Sequence, residues 1–180
     1  MPGFLTRVFR KAGEPASGGY EPKEGDVFLV PLGDARFALG QLVSLWNDEL
    51  YVVFYEPPVM SDASPERVED HDPFLAVLTL DAKLWNGDWP IVGNHRRNLP
   101  SIAQPVFKVM YEGRPMVEAR DRSWWRPARD DEFLRLHFRS ITSPAVAEDI
   151  VKARFGTGAW LPGYDRYLYG YAVASASTAE

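Results

Sequence analysis

Short apolar segments separated by turn residues dominate the first half of the chain. Residues 27–30 form a continuous apolar run of strand length. After the turn residues Gly33-Asp34-Ala35, residues 36–45 alternate, so that every second side chain lies on the same face of a strand. A third apolar run, residues 50–55, is predicted to end at Pro57-Pro58. Three strands joined by short polar turns predict an antiparallel meander.

The middle of the chain predicts further strands. Residues 74–80 are rich in Leu and Val, which favours a fourth strand. Residues 106–111 and 116–119 are apolar runs on either side of a short segment that contains Gly and Pro. This arrangement is typical of a hairpin, and we expect a second one here.

A single clear helix is predicted late in the sequence. Ser143 is a favourable N-cap, Pro144 suits the first helical position, and Gly156 suits the C-terminal end. Between them the apolar residues recur at helical spacing. The segment that follows, residues 157–174, is aromatic and interrupted by glycines, so its pattern assigns no element.

These patterns predict an α+β fold with one domain. It consists of an antiparallel β-meander, either open or curved into a partly open barrel, with one C-terminal helix and an irregular aromatic tail. Residues 1–22 include the linker-like run Ala-Ser-Gly-Gly and are expected to form a loosely packed lead-in. Residues 23–174 are expected to form the domain, and residues 175–180 are expected to fray.

Composition and charge narrow the classes of protein to which the chain can belong. The 180 residues contain no cysteine, which excludes disulfides and thiol chemistry and fits a reducing compartment. A signal peptide needs an apolar stretch of about 7–15 residues and a membrane span needs about 20, and no apolar stretch in the sequence reaches either length. We therefore expect a cytoplasmic protein without membrane association. The net charge is −5, with no clustered basic segment of the kind that nucleic-acid binders carry.

The chain offers little material for catalysis or metal binding. Its three histidines, His71, His95 and His137, contain no pair at the i, i+4 spacing of a helical metal site. The run Asp70-His71-Asp72 contains ligand-type residues, but neighbouring side chains point apart, and a solvated acidic loop is the favoured interpretation. A nucleophile elbow and a phosphate-binding glycine loop are both absent from the sequence. We therefore predict no catalytic residue, no metal and no cofactor, and a protein that is not an enzyme.

The tryptophans leave two interpretations open. Stacking of single-stranded bases requires aromatic side chains beside a basic groove. Arginines do lie near Trp89 and near Trp124-Trp125, but Asp and Glu residues neutralise the second group. Packing in a core or an interface is the favoured role.

The first hairpin resembles a known family. Residues 25–43 read GDVFLVPLGDARFALGQLV, and the run Trp89-Pro90-Ile91-Val92-Gly93 follows further along. In this order and spacing the two segments resemble the immunity protein 26 family of bacterial polymorphic toxin systems, over about residues 23–104. A glycine is expected after Asp34 in that family, and Ala35 stands there instead. Because a Cβ atom disfavours positive φ, we expect the turn type to differ.

The resemblance implies a protein that works by binding. Its partner would be a cognate toxin domain, and a basic one if acidic residues make the contact. The residues expected to face the toxin lie on the acidic and aromatic segments after the hairpin: Asp62, Glu66, Glu69, Asp70, Asp72, Trp85, Trp89 and Trp124. The alternative is a small β-barrel module that binds single-stranded nucleic acid or a peptide through exposed tryptophans.

Overall fold

A computed structural model describes residues 20–177 of the chain. The lead-in predicted over residues 1–22 lies outside this range except for its last three residues, and so do the last three residues of the predicted frayed tail. No helix among residues 20–177 has the length and apolar character that spanning a membrane requires.

The described residues form eight strands, four α-helices and three 3₁₀ helices. The strands are β1 (Asp26–Pro31), β2 (Phe37–Trp46), β3 (Glu49–Val59), β4 (Asp72–Thr79), β5 (Ile91–Asn94), β6 (Val106–Tyr111), β7 (Arg114–Ala119) and β8 (Trp125–Pro127). The α-helices are α1 (Ala82–Trp85), α2 (Asp130–Arg135), α3 (Pro144–Arg154) and α4 (Tyr169–Ala176). The 3₁₀ helices span Pro65–Glu69, Leu99–Ser101 and Pro162–Tyr167.

The strands form two antiparallel sheets, which confirms the α+β class. The large sheet has the order β4-β3-β2-β1-β5, and the small sheet has the order β6-β7-β8. Strands β1 to β3 form the predicted meander, the predicted fourth strand is β4 beside β3, and the second hairpin is the pair β6–β7. The sheets do not close into a barrel. The sequence did not predict β5, which lies beside β1 and extends the sheet at the edge opposite β4.

Strand β3 does not end at Pro57-Pro58, and that prediction was wrong. The strand continues to Val59, which pairs with Phe37 of β2. The ladder shifts its register between this pair and the next one, Leu39 with Tyr55. The two prolines therefore occupy an irregularity in which no ladder hydrogen bond is required of their nitrogens, which is the place where a sheet tolerates proline.

Both faces of the large sheet are buried, as the continuous apolar runs of β1 and β3 indicate. On one face Phe28 and Phe54 pack with Leu84 of α1 and Ile150 of α3. On the other face the core is covered by the first two 3₁₀ helices, by the start of β6 and by aromatic side chains of α4. The sheet is therefore the central layer of the fold.

Gly40 and Gln41, which are neighbours in β2, lie toward opposite faces of this sheet, and each suits the surroundings on its own face. A Cβ on Gly40 would lie 2.3 Å from a ring carbon of Phe28, so the missing side chain provides the room for that ring. Gln41 points the other way and is fully buried. Its Nε2 donates to the carbonyl of His95 at 2.7 Å and to Oδ1 of Asn98 at 3.0 Å, and its Oε1 accepts from the hydroxyl of Tyr55 at 2.6 Å. This network fastens the connection after β5 to the sheet.

The predicted helix is confirmed as α3. The Ser143 hydroxyl accepts from the backbone N–H of Val146 at 3.2 Å, and Gly156 has φ 81° just beyond the end of the helix. The fold contains more helix than expected, because the aromatic tail forms the third 3₁₀ helix and α4. Two hydroxyl groups tie α4 to the rest of the domain: Tyr169 accepts from the N–H of Ala103 and Tyr171 donates to the carbonyl of Val106.

The turn between β1 and β2 keeps positive φ in spite of the side chain on Ala35. Gly33 has φ 93° and Ala35 has φ 66°, so Ala35 adopts the backbone region that a Cβ atom disfavours. The Asp34 carboxylate accepts from the N–H of Arg36 at 3.3 Å and from its guanidinium at 2.8 Å, which brackets Ala35 on both sides. These contacts hold Ala35 in the left-handed backbone region, a conformation that is energetically costly for alanine.

Candidate functional site

A buried ionic junction fastens the small sheet to the large one. Arg139 donates to Oε1 of Glu49, at the start of β3, at 2.6 Å, and it also donates to the carboxylate of Glu118 in β7. Its Nη2 donates to the carbonyls of Ala119 and Arg120 at 2.8 Å each. Removing one member of such a buried group leaves an unpaired charge, which is strongly destabilising. The junction therefore sets the orientation of one sheet against the other.

One side of the small sheet is closed by α2. Trp124 packs against a small apolar cluster on this side. Beside it the fully buried carboxylate of Glu132 accepts from both terminal nitrogens of Arg126, at 2.8 and 2.7 Å, and from the backbone N–H of Arg129 at 2.9 Å. The hydrogen bonds from Arg126 are the main cause that lowers the pKa of Glu132 to about 2.

The opposite side of the small sheet is open over its outer half. Trp125 and Tyr111 are 54% and 51% exposed, and their rings meet edge to face with centroids 4.8 Å apart. Met116 and Pro127 pair across β7 and β8 and line a shallow depression of about 430 Å³ with them. We call Tyr111, Met116, Trp125 and Pro127 the aromatic face. Aromatic residues and methionine are enriched in the centres of protein interfaces.

The acidic residues predicted to contact a partner are exposed around the first 3₁₀ helix. They are Asp62, Glu66, Glu69, Asp70 and Asp72. Part of their charge is compensated within the chain, because Glu69 lies 2.8 Å from His95 Nε2 and 3.8 Å from Arg97, and Asp70 lies 3.8 Å from Arg67. The acidic character of this segment is therefore weaker than the sequence suggests.

The three tryptophans predicted with them lie in different places. Trp85 is 50% exposed at the end of α1. Trp89 is only 1% exposed: its ring stacks on Phe28 with centroids 5.2 Å apart, and its Nε1–H donates to Glu148 at 3.0 Å. Trp124 packs on the side of the small sheet that α2 closes. Trp89 is thus a core residue of the folded chain.

The structure does not unite the predicted residues in one surface. The acidic segment covers one face of the large sheet through Val68, whereas α1, which carries Trp85, packs on the other face through Leu84. The sequence also missed Trp125 and Tyr111. Trp124 directly precedes β8, and neighbouring residues of an extended segment point to opposite faces, so only one of Trp124 and Trp125 can face outward; the direction of each depends on the register of β8 with β7.

Groups of three or more His, Asp or Glu side chains placed to hold a metal ion do not occur among residues 20–177. His71, the centre of the Asp-His-Asp run, is buried, and its Nδ1 lies 2.8 Å from the carbonyl of Arg67. It serves to hold the first 3₁₀ helix in place.

Comparison with known proteins gives one family and no individual relative. The family model for Immunity protein 26 matches residues 23–112, which is half of the 180-residue chain. The matched region contains the whole large sheet and ends after β6. Neither the curated proteins nor the solved structures contain a match. The resemblance noted in the first hairpin is confirmed, and the chain belongs to the immunity protein 26 family.

Proposed function

We propose that this protein is an immunity protein that binds a cognate toxin domain and neutralises it. The observation that carries the proposal is the family match over residues 23–112. Inhibition by binding requires only a complementary surface, and about 800 Å² on each partner is sufficient for a stable complex. The small sheet and the acidic segment both offer exposed side chains for such a surface.

The aromatic face is the proposed centre of the contact. Buried aromatic anchors contribute most of the binding free energy in protein complexes, and Trp125 and Tyr111 present two adjoining rings to solvent. Trp125 lies beyond the matched region, on a strand whose one neighbour in the small sheet, β7, is held by the Arg139 junction. A rigid support of this kind reduces the entropy that binding would otherwise cost.

The acidic segment has a separate proposed role in association. Asp62 and Asp72 are exposed and have no ion-pair partner within residues 20–177. Charges at the rim of an interface change the association rate more than the final affinity. We expect these two carboxylates to accelerate the approach of a basic toxin surface.

The test is binding and growth protection with the toxin domain encoded beside this gene. The unaltered protein should form a one-to-one complex and restore growth of cells that express the toxin. Replacing both rings, in Tyr111→Ala with Trp125→Ala, should weaken binding by about 100-fold or more, mainly through faster dissociation. Trp85→Ala removes an equally exposed ring elsewhere and serves as the control, with unchanged binding.

The same measurement separates the two surfaces. Reversing Asp62 and Asp72 to lysine should slow association about tenfold at low salt and leave dissociation unchanged. An unchanged association rate would remove the acidic segment from the proposal. Failure of the unaltered protein to bind or protect would refute the function itself.

A further inference from the structure

A second exposed feature of the molecule is a cleft of about 380 Å³ between the two sheets. It is bounded by residues of β4 and β6, by residues 134–140, and by residues 166–172. Volumes of this size are typical of sites that hold a side chain or a small ligand. The lining includes the cations of Lys108, Arg135 and Arg166 but no carboxylate. This is unusual for a protein whose net charge is −5.

Lys108 supplies the first free cation of the cleft. Its Nζ donates to the carbonyl of Phe133 at 2.8 Å and lies 4.7 and 4.6 Å from the ring centroids of Phe133 and Phe138. An ammonium group has three donors, and only one of them has an acceptor among the described residues. Carboxylates within residues 20–177 do not pair with it. The group is thus positioned by its neighbours while part of its donor capacity stays open.

Arg166 supplies the second cation of the cleft. Its guanidinium lies 4.7 Å from the ring centroid of Tyr167 and donates to the hydroxyl of the same residue, and the described part of the chain places no carboxylate on it. Arg135 differs, because it is paired with Asp131 at 2.7 Å. Lys108 and Arg166 therefore account for the uncompensated positive charge.

A histidine, His137, lines the same cleft as these two cations. His137 stacks on Tyr171 with ring centroids 3.9 Å apart. Burial is the main cause that lowers its pKa; a hydrogen bond with the Arg166 backbone acts in the opposite direction, and repulsion from Arg166 and Lys108 adds to the lowering. The two cations thus act on a common space, in which a neutral imidazole is favoured over a charged one.

The entrance of the cleft is apolar. Leu134 is 83% exposed beside it, and the ring of Phe138 is also exposed. Apolar side chains around a charged contact exclude water from it when a partner docks, and this strengthens the contact. A single site of this form suits one anionic side chain that has an apolar neighbour. A nucleic acid would instead need a continuous basic track.

We propose that this cleft binds the carboxylate of an Asp or Glu side chain that the toxin domain presents beside an apolar residue. The inference rests on the proposed function in naming the toxin as the carrier. In this proposal the toxin presents an acidic side chain to the cleft, whereas the toxin surface that approaches Asp62 and Asp72 is expected to be basic. The two contacts together would fix the orientation of the complex through opposite charges.

The first experiment needs no toxin. The blocked tripeptide acetyl-Leu-Glu-Leu-amide and its glutamine counterpart are titrated into nitrogen-labelled protein at low salt, and the amide shifts of Lys108, His137 and Phe138 are followed by NMR. The glutamate peptide should bind with a dissociation constant on the order of 1 mM and at least about tenfold more tightly than the glutamine peptide. Lys108→Met with Arg166→Met should abolish this preference, whereas Lys108→Arg with Arg166→Lys should retain most of it. Retention in the second variant shows that charge, and not a change of fold, is responsible.

The second experiment uses the cognate toxin domain. The double methionine variant should lose about 30-fold or more in toxin affinity, and Arg96→Met, which removes an exposed arginine paired with Glu24 away from the proposed contacts, should lose nothing. Equal binding of the two peptides, or an oligonucleotide that displaces the glutamate peptide from the cleft, would overturn the inference. So would toxin affinity that is unchanged in the double variant. A protein that shows the peptide preference but never binds the toxin would refute the proposed function and the toxin as carrier, and would leave the carboxylate site standing.

Discussion

The large and small sheets differ in how much of their surface the rest of the chain covers. The large sheet is buried on both faces, and its central strands carry fully buried Phe28, Leu42 and Phe54. The small sheet is covered on one side and open over half of the other. Ten of the thirteen large apolar side chains that are exposed among residues 20–177 lie at or after Met110.

This difference separates a scaffold from a presenting surface. The family match covers the large sheet and ends after β6, and most of the large apolar side chains that are exposed among residues 20–177 lie beyond its end. Trp125 and the entrance of the cleft at Leu134 both lie beyond it.

The largest effect is expected from Trp89→Ala. Trp89 lies between Phe28, Phe54 and α3, and a cavity of that size should lower the free energy of unfolding by about 4 kcal/mol. Urea denaturation of the variant measures this loss. The control is Trp85→Ala on the same connection, for which a change within about 0.5 kcal/mol is expected. Similar losses in the two variants would contradict the assignment of Trp89 to the core.

A smaller and more local effect is expected from Arg139→Met. The substitution leaves Glu49 and Glu118 buried without their shared partner, and about 3 kcal/mol should be lost. Hydrogen exchange should accelerate in β7 while β2 stays protected, since the junction belongs to the contact between the sheets. Arg135→Met breaks an exposed pair and should have almost no effect. Equal acceleration in both sheets would show that they unfold as one unit.

The smallest effect is expected in the turn of the first hairpin. Ala35→Gly removes the Cβ atom from a residue in the left-handed backbone region. The substitution should therefore raise the free energy of unfolding by about 0.5–1 kcal/mol. Gly33→Ala, two residues away at φ 93°, should lower it by about 1 kcal/mol. Thermal unfolding of the pair measures both. Stabilisation by Gly33→Ala, or destabilisation by Ala35→Gly, would contradict the strain assigned to this turn.

The sequence predicted those elements whose causes are local. Alternation defined β2, and Ser143, Pro144 and Gly156 defined both ends of α3, because an N-cap and a C-terminal glycine act within one turn of a helix. The position of β5 beside β1 was missed, since it depends on a crossover from β4. Helix α4 was missed because its main contacts are tertiary, through the hydroxyls of Tyr169 and Tyr171.

The candidate surfaces were less predictable than the fold. Exposure of the acidic residues follows from their chemistry, but their pairing with His95, Arg97 and Arg67 does not, because two of these partners are distant in sequence. The choice between Trp124 and Trp125 requires the register of β8 with β7. The cleft brings together Lys108 and Arg166 from segments 58 positions apart in the chain, a distance that no local pattern spans.

The adjacent residues Gly40 and Gln41 have a consequence for how the chain finds its correct strand pairing. If β2 slid by a single position, the amide of Gln41 would be forced toward the ring of Phe28, and its hydrogen bonds to Tyr55 and Asn98 would be lost. A slip of one position turns every side chain to the other face of the sheet. Where both faces are buried and apolar, the hydrophobic pattern alone gives little to distinguish the two alignments. Gly40 and Gln41 therefore specify the register of the hairpin, because only one alignment of β2 with β1 satisfies both residues.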